Sequence, residues 1–335
     1  LLRASGRRII VAANKADGPD RDAHAAPFES LGFDAYPVSA LHGRGIAELL
    51  EAAVRDLPVV SNPTKTEPLR VAVVGRPNVG KSSYINRLLR NDRVIAADLP
   101  GTTRDSVDIP FSVGTGPHAR HYVLVDTAGI RRRGKIDTTL EKFSYFRAEE
   151  SIRRSNICVL VIDASAGPTA QDKKIAALIA THNRGAVVLV NKWDLAASTQ
   201  RQYLPALVKE MPFLSHCPIV MVSAADGFNI RKTIDVIDSV AAQIKAQLPT
   251  GVLNRAVLDA YERIHPPTAR GKILKIFYCT QVGCEPVRIR FFVNYPKNVP
   301  PNYRAYLVNM LRERFGLEGA PVVLEFRERT RKPRS

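Results

Sequence analysis

The stretch GRPNVGKS at residues 75–82 decides the fold of this chain. It has the spacing Gly-x-x-x-x-Gly-Lys-Ser, it follows the apolar run Val71–Val74, and the helical pattern Ser83–Arg90 comes next. A glycine-rich loop between a strand and a helix lets successive backbone amides converge on phosphate oxygens, and the helix N-terminus adds partial positive charge. We therefore predict a phosphate-binding loop in which Lys81 contacts the β- and γ-phosphates and the Ser82 hydroxyl binds Mg²⁺. A glycine turn that only packs is the structural alternative.

A second motif, NKWD at residues 191–194, predicts the base of the nucleotide. A carboxylate at Asp194 can accept both the N1 and the N2 hydrogens of guanine, whereas adenine offers neither. Sites of this kind reject the analogue by about 10⁴-fold or more. The amide of Ala224 can meet the guanine carbonyl oxygen, and Ser223 shapes that loop. A helix cap at Asn191 and a surface acid at Asp194 are the alternatives, but the combination predicts GTP or GDP with Mg²⁺.

The loops between these motifs carry further predicted contacts. In DTAG at residues 126–129, Asp126 is expected to hold the Mg²⁺ shell, and the Gly129 amide is expected to sense the γ-phosphate. Thr103, in a glycine-flanked loop before a strand, is the predicted second Mg²⁺ ligand, with Thr102 as its competitor. A loop held only by phosphate and metal contacts relaxes after hydrolysis, which predicts a switch.

The catalytic water has no obvious partner in the sequence. The residue after DTAG is Ile130, where some GTPases place a glutamine that orients the water. Either the backbone or another residue holds the water, or an added cation supplies the missing charge. Asn78 favours the cation, because its amide oxygen can coordinate a monovalent ion beside the phosphates. A loop hydrogen bond is the alternative role for Asn78.

The predicted site residues are spread along one segment of the chain. The predicted GTP-binding residues are Gly75, Asn78, Val79, Gly80, Lys81, Ser82, Ser83, Asp126, Gly129, Asn191, Lys192, Asp194, Ser223 and Ala224. The predicted catalytic residues are Lys81, Asn78, Thr103 and Gly129. The predicted metal ligands are Ser82, Thr103 and Asp126 for Mg²⁺ and Asn78 for the monovalent cation.

The Asn-Lys-x-Asp pattern occurs a second time, at residues 14–17, whereas the phosphate-binding pattern occurs once. Both copies follow a short apolar strand pattern and precede a second strand, a Ser-Ala pair and a helical segment. Because the phosphate-binding loop comes first in such a module, we expect the chain to open in the back half of one module. A complete second module follows. The first residue, Leu1 instead of Met, agrees with a lost front end.

Strand and helix patterns divide the rest of the chain. Five apolar strand patterns alternate with helical ones, at 70–74, 121–125, 157–162, 186–190 and 218–222. This alternation predicts the α/β class, with a mostly parallel sheet and helices on both faces. The order α-β-β-α-β predicts a small α+β domain after Pro249. The predicted division is a partial module at 1–58, a linker at 59–68, the complete module at 69–248 and the α+β domain with a basic tail at 249–335.

Charge indicates the class of partner. The chain has 49 Lys and Arg against 32 Asp and Glu, a net charge of +17. Residues 251–335 alone contain 16 basic and 7 acidic residues, a net of +9. Such a balance favours polyanions through steering and counterion release, which predicts a nucleic acid. A basic surface that only keeps the protein in solution is the alternative.

Cysteine usage and hydropathy exclude other classes. Four cysteines in 335 residues do not suggest a disulfide framework and fit a reducing compartment, and Cys279 and Cys284 lack a second ligand pair at zinc spacing. No apolar run approaches the length that spans a bilayer, so no membrane partner is expected.

The motifs together resemble the Der (EngA) family of bacterial double-GTPase ribosome-assembly factors. Its second GTPase domain is resembled by GRPNVGKS at 75–82, PGTTRD at 100–105, DTAGIRRRGK at 126–135 and NKWD at 191–194. Its KH-like third domain is resembled by HPP at 265–267, YCTQ at 278–281, FFVN at 291–294 and the segment 303–315.

The resemblance implies slow, potassium-stimulated GTP hydrolysis, with Asn78 as the potassium ligand. It also implies nucleotide-dependent docking on the large ribosomal subunit and its rRNA. We expect a cytoplasmic monomer. The alternatives are a GTP- or GDP-dependent regulatory module that binds protein partners with little hydrolysis, and a regulator at membranes, for which no lipidation site or basic amphipathic helix is visible.

Two features depart from the family pattern. The module at 1–58 lacks the phosphate-binding loop, so we expect it to bind no nucleotide as it stands; it is either poorly ordered or held by packing on other domains. We also expect residues 251–335 to lack the Gly-x-x-Gly loop with which KH modules clamp the RNA backbone. The third domain therefore either meets RNA through its basic face or serves as a docking surface for the GTPase domains.

Overall fold

The structure is a computed structural model that describes residues 9–18, 20, 26–29, 32–54, 67–90, 94–96, 108–116, 119–126, 140–212, 215–266 and 273–329. The chain forms two compact units, Leu1–Thr66 and Glu67–Ser335. Most of the predicted linker at 59–68 lies outside the described residues, and the three boundaries between the four predicted segments stay predictions. None of the helices in the described ranges combines the length and apolar character that crossing a bilayer requires.

The first unit contains two parallel strands. Strand β1 (Ile10–Asn14) pairs with β2 (Asp34–Val38), and Asn14 lies opposite Val38. Its described helices are α1 (Ala26–Glu29) and α2 (Ile46–Val54). Strand, Asn-Lys-x-Asp, strand and helix thus follow one another in the predicted order.

The second unit begins with an α/β layer whose elements alternate along the chain. Its described strands are β3 (Leu69–Val74), β4 (Val94–Ala96), β5 (Ile109–Val113), β6 (Arg120–Val125), β7 (Ile157–Asp163), β8 (Gly185–Asn191) and β9 (Ile219–Met221). Its described helices are α3 (Lys81–Leu89), α4 (Leu140–Arg154), α5 (Ala170–Thr181), α6 (Gln200–Glu210) and α7 (Ile230–Ile244). The strand order in the sheet is β4-β5-β6-β3-β7-β8-β9.

The central strands are buried on both faces, which explains their continuous apolar runs. All seven residues of β7 and all seven of β8 are buried. Val159 and Val161 belong to a core cluster that also contains residues of α3 and α7. Cys158, Leu160 and Ile162 belong to a second cluster that contains residues of α4, α5 and α6. Helices therefore cover both faces of a mostly parallel sheet, as the alternation predicted.

Two strands at one side of the sheet were not among the five predicted strand patterns. Strands β4 and β5 extend the sheet beyond β6, and the pairs β4–β5 and β5–β6 are antiparallel. Strand β4 has three residues, and β5 contains Pro110, which cannot donate a ladder hydrogen bond. Such short or proline-containing segments give weak strand patterns, so β5 depends on pairing with β6, and β4 on pairing with β5.

The C-terminal part has the predicted α-β-β-α-β order. Its elements are α8 (Thr250–Arg263), β10 (Ile276–Gly283), β11 (Val287–Val293), α9 (Pro301–Phe315) and β12 (Val322–Glu328). Strand β11 is central, antiparallel to β10 and parallel to β12. Burial alternates along β11 because one face of this sheet packs on α8 and α9. The sheet therefore has one buried and one open face.

The two parts of the second unit share a core and backbone hydrogen bonds. Buried residues of both parts form one cluster. The amide of Ala186 in β8 donates to the Gly319 carbonyl at 2.9 Å, and the Gly319 amide donates to the His216 carbonyl at 2.7 Å. Helix α7 ends at Ile244, and beyond it the Leu248 amide donates to the Gln281 side chain at 2.7 Å.

Candidate guanine-nucleotide site

The phosphate-binding loop joins β3 to α3 at the centre of the sheet. Strand β3 lies between β6 and β7 and is parallel to both. Ligands of open α/β sheets bind at the carboxyl ends of such strands. The loop emerges there, with Val79 buried, Asn78 exposed, and Ser82 and Ser83 in the first turn of α3. The helix N-terminus consequently points its free amides toward the loop.

Two glycines in the loop have no room for a side chain. Gly75 has φ 149°, and a Cβ there would lie 2.5 Å from the carbonyl oxygen of Val161. Gly80 has φ 95°, and a Cβ there would lie 2.2 Å from Nδ2 of Asn191. The loop therefore packs so closely on its neighbours that only glycine fits at either position.

Lys81 lies inside the loop. Its Nζ donates hydrogen bonds to the carbonyl oxygens of Gly75 at 2.8 Å and Arg76 at 2.7 Å. Burial lowers the pKa of Lys81 to about 8; Asp172 opposes this effect, and the Arg76 cation adds to it. Burial deprives the Lys81 ammonium of solvating water, and the negative charge of a bound phosphate would stabilise it.

Asn191 connects the phosphate-binding loop to the base-reading motif. Its Nδ2 donates to the Val79 carbonyl at 2.8 Å, and its Oδ1 accepts from the Ala224 amide at 3.0 Å. The Asn191 side chain is buried, so both bonds form away from water. The fold thus brings three predicted segments to one amide side chain, and Val79 of the phosphate-binding loop is 112 residues from Asn191 in the sequence.

Lys192 and Asp194 follow at the turn after β8. Lys192 adopts the left-handed conformation with φ 60°, and its Nζ donates to Oδ2 of Asp163 at 2.6 Å. Asp194 lies exposed in the short 3₁₀ turn Trp193–Leu195. No described residue makes a hydrogen bond or ion pair with its carboxylate, which is therefore free to accept from a ligand.

The loop after β9 is held by its own hydrogen bonds. Ser223 Oγ donates to Oδ2 of Asp226 at 3.0 Å and accepts from the Asp226 amide at 3.2 Å. These bonds hold the turn at residues 223–226, and the role of Ser223 in guanine binding stays a prediction. The Ala224 amide, predicted to donate to guanine, donates to Asn191 in this structure, so a guanine carbonyl would share that donor.

Three charged residues of the site were not predicted from the sequence: Arg76, Asp163 and Asp172. Arg76 lies 3.4 Å from Asp172 and 3.9 Å from Asp163, measured between guanidinium nitrogens and carboxylate oxygens. Burial alone would raise the pKa of Asp163, but hydrogen bonds from Lys192 and Ser165 outweigh it and hold that pKa below its usual value. These acids link the phosphate-binding loop to the base-reading turn.

Sequence signals for two of these acids exist. Asp163 directly follows an apolar strand at the ligand end of the sheet, where polar residues face the crevice. Asp172 stands three residues after Thr169, a capping-box spacing, and the box is present in the structure. Arg76 occupies a variable position of the loop motif, and no local pattern marks it.

Asp126 stands at the end of β6, beside the phosphate-binding loop. Its amide donates to Oδ1 of Asp108 at 3.0 Å, and its Oδ2 accepts from Ser151 Oγ at 3.1 Å. The buried Asp108 also accepts from Arg70 at 3.0 Å and Arg154 at 2.7 Å. This arrangement anchors the backbone from which Asp126 would reach a metal.

Several predicted residues lie outside the described part of the chain. These are Thr102, Thr103, Gly129 and Ile130. The described residues hold no group of three or more His, Cys, Asp or Glu that could bind a metal. Magnesium in nucleotide sites is held by one or two protein oxygens together with the phosphates. Ser82, in the first turn of α3, and Asp126, directly after β6, are oxygen donors that fit that arrangement.

The first unit repeats the base-reading geometry. Asn14 Oδ1 accepts from the Ala40 amide at 3.1 Å, as Asn191 accepts from Ala224. Lys15 has φ 78°, close to the 60° of Lys192. This geometry supports the prediction of two copies of one module.

This chain matches two described protein families and is similar to proteins of known name. Residues 247–327 match the family described as KH-domain-like of EngA bacterial GTPase enzymes, C-terminal, and residues 70–192 match the family described as 50S ribosome-binding GTPase. GTPase Der of Desulforudis audaxviator is 41% identical over 99% of this chain and 76% of its own length. GTPase Der of Caldanaerobacter subterraneus subsp. tengcongensis is 39% identical over 98% and 75%.

A solved structure is also similar in part. Era in complex with MgGDPNP and nucleotides 1506–1542 of 16S ribosomal RNA is 21% identical, with a TM-score of 0.38. The similarity covers 77% of this chain and 92% of that chain. A likeness of this size carries no argument about function.

These matches confirm the P-loop GTPase domain and the C-terminal KH-like α+β domain. The chain is therefore a GTP-binding switch protein that hydrolyses GTP and uses guanine nucleotide with Mg²⁺. The roles of individual residues stay predictions. Because relatives about two-fifths identical in sequence align over almost the whole chain, it belongs to the Der (EngA) family of GTPases.

Proposed function

We propose that this chain is a switch in the assembly of the large ribosomal subunit and that it docks on ribosomal RNA when GTP is bound. It would act as a monomer in the cytoplasm, where subunits are assembled. Little hydrolysis, the alternative considered for the sequence, is not retained, because the chain belongs to a family of GTPases.

The observation that carries the proposal is a direct connection through β8. At one end of this strand, Asn191 contacts the phosphate-binding loop through Val79. Near its other end, the Ala186 amide is bonded to Gly319 of the KH-like domain. Strand β8 thus joins the nucleotide site to the basic C-terminal domain by contiguous contacts, the kind of network that a nucleotide-dependent docking protein would use.

Charge and family support the ribosomal partner. The net charge of +17 suits an RNA-rich particle. One matched family is described as 50S ribosome-binding GTPase, and its match includes the phosphate-binding loop and Asn191.

Co-sedimentation with purified large subunits tests this proposal. We expect retention with a non-hydrolysable GTP analogue to exceed retention with GDP by at least about fivefold, the usual range of coupling between sites. Lys81→Ala should abolish the difference. Equal retention with both nucleotides, or equal retention on the small subunit, would contradict the proposal.

We also propose that Asn78 binds a potassium ion that assists hydrolysis. Asn78 is exposed at the phosphate-binding loop with φ 63°, and none of the described residues makes a hydrogen bond with its side chain. The loop hydrogen bond considered as its alternative role therefore has no partner in the described part of the chain. A cation beside the transferred phosphate would stabilise charge that develops in the transition state.

Turnover in potassium and in sodium tests the role of Asn78. We expect hydrolysis to be about tenfold faster in potassium, and Asn78→Ala to lose this difference. Asn86→Ala, which alters an exposed asparagine on α3, serves as the matched control and should keep it. Equal turnover of the unaltered chain in both salts would refute the potassium site.

A further inference from the structure

The open face of the KH-like sheet combines aromatic and basic side chains. Register places Tyr278, Phe292 and Arg327 in one row across the three strands. Thr280, Arg290 and Glu325 form the next row. Arg288 and Val323 pair beyond them. These eight residues define the open face, and none of them is buried.

The opposite face of this sheet forms the core of the domain, so the open face is not needed for packing. Cys279, Ile289 and Phe291 alternate with the residues of the open face and are completely buried. They pack against buried side chains of α8 and α9, such as Val257 and Leu307. Those residues already form the core of the domain, so the aromatic rings of the open face are not needed there.

The open face carries a preformed aromatic stack. The rings of Tyr278 and Phe292 lie parallel, with centroids 4.3 Å apart and an angle of 14° between them. Tyr278 is 43% exposed. Phe277, next to it and equally exposed, has the guanidinium of Arg329 at 5.0 Å from its ring centroid. A flat, unpaired base can add to such a stack, because every base presents a π-face.

Arginines beside the stack match the charge of a phosphate backbone. Glu325 accepts two hydrogen bonds from Arg290, at 3.0 and 2.9 Å, and lies 4.0 Å from Arg288. This single acid faces three arginines, including the exposed Arg327, so the open face keeps a positive balance. The guanidinium of Arg290 is held in place before any ligand arrives, which lowers the ordering cost of binding.

We propose that the open face binds single-stranded RNA, with Tyr278 and Phe292 stacking on an unpaired base and Arg288 and Arg327 contacting phosphates. The inference rests on the proposed ribosomal function. It adds which surface of the chain binds the RNA and that the bound RNA is single-stranded. Base-paired RNA fits less well, because its bases are stacked inside the helix and its major groove is too narrow for side chains.

The expected absence of a Gly-x-x-Gly sequence is wrong, because GLEG at residues 316–319 has this spacing. Gly319 is hydrogen-bonded to Ala186 and His216, so that turn packs on the GTPase domain, whereas the sheet face is open.

Fluorescence anisotropy with the full chain and an oligouridylate of about 12 nucleotides tests the inference. Tyr278→Leu should weaken binding about tenfold, whereas Tyr278→Phe, which keeps the ring, should stay within about twofold of the original affinity. Tyr145→Leu changes a tyrosine that is 36% exposed on α4 and should leave binding unchanged. Arg327→Ala should weaken binding and reduce its salt dependence, unlike Arg201→Ala on α6.

Three results would overturn the inference. The first is that the chain does not bind the oligouridylate, and the second is that Tyr278→Leu binds it as tightly as the original chain. The third is that Tyr278→Leu loses as much affinity for a duplex RNA of the same length as for the oligouridylate. A face that serves a protein partner would give the second result. GTP turnover of Tyr278→Leu, expected to be unchanged, verifies folding. Oligouridylate binding needs neither GTP nor ribosomes. A chain that binds the oligouridylate through Tyr278 but ignores large subunits would refute only the proposed function.

Discussion

Lys81→Ala is expected to lower the affinity for GTP and GDP by about 100-fold or more, because truncating one partner of a buried charge pair leaves the other unpaired. In the free chain, Lys81 Nζ is held by the carbonyl oxygens of Gly75 and Arg76, within the loop that would surround the phosphates. Burial lowers its pKa to about 8, so a phosphate gains an ammonium that is poorly solvated. Equilibrium titration with a fluorescent GDP measures the effect.

The control for this substitution is another lysine. Lys209→Ala removes an exposed lysine at the end of α6 and should leave GDP affinity unchanged. A circular-dichroism melt of both variants distinguishes lost binding from lost folding. If Lys81→Ala bound GDP as tightly as the original chain, the assignment of residues 75–82 to the phosphates would be wrong.

Asp194→Asn is expected to change base preference from guanine toward xanthine. Asp194 is exposed, and none of the described residues engages its carboxylate, so the ligand would provide its hydrogen-bond donors. An asparagine amide can donate to the carbonyl that xanthine carries where guanine has its amino group. We expect affinity for GDP to fall by about 100-fold or more, and xanthosine diphosphate to become the tighter ligand.

The first unit provides a matched control for Asp194→Asn. Asp17→Asn makes the same change in the other Asn-Lys-x-Asp copy, where Ser39 Oγ donates to Asp17 Oδ1 at 2.7 Å. We expect Asp17→Asn to leave both affinities unchanged, because residues 1–58 carry no phosphate-binding motif. Competition titrations with the two diphosphates measure both variants. An Asp194→Asn chain that still preferred guanine would exclude Asp194 from base recognition.

The fold was predictable where the sequence pattern is local. The strands β3, β6, β7, β8 and β9 were each predicted to within one or two residues of their ends. They are apolar runs bounded by turns and motifs, and such runs can be recognised as strands without knowing which strands they pair with. Strands β4 and β5 are short or interrupted by proline, so they depend on pairing, β5 with β6 and β4 with β5.

The motif residues of the site were also predictable from local patterns, but the prediction of the site was incomplete because some partners are distant in the sequence. Lys81, Asn191 and Asp194 stand in contiguous motifs, whose chemistry follows from residue type and spacing. The ion pairs of Arg76 with Asp163 and Asp172 join the phosphate-binding loop to residues that follow later strands and turns. Nothing in the residues near Arg76 indicates those partners.

The sequence by itself determined the class of the domains, the nucleotide chemistry and the order of the motifs, since each depends on residues close together in the chain. Only the tertiary structure decided that Asn191 bonds to Val79, that Ala186 bonds to Gly319, and that Tyr278 stacks on Phe292 on an open sheet face. Such contacts depend on which strands become neighbours, and strand order results from packing of the whole core rather than from any local pattern.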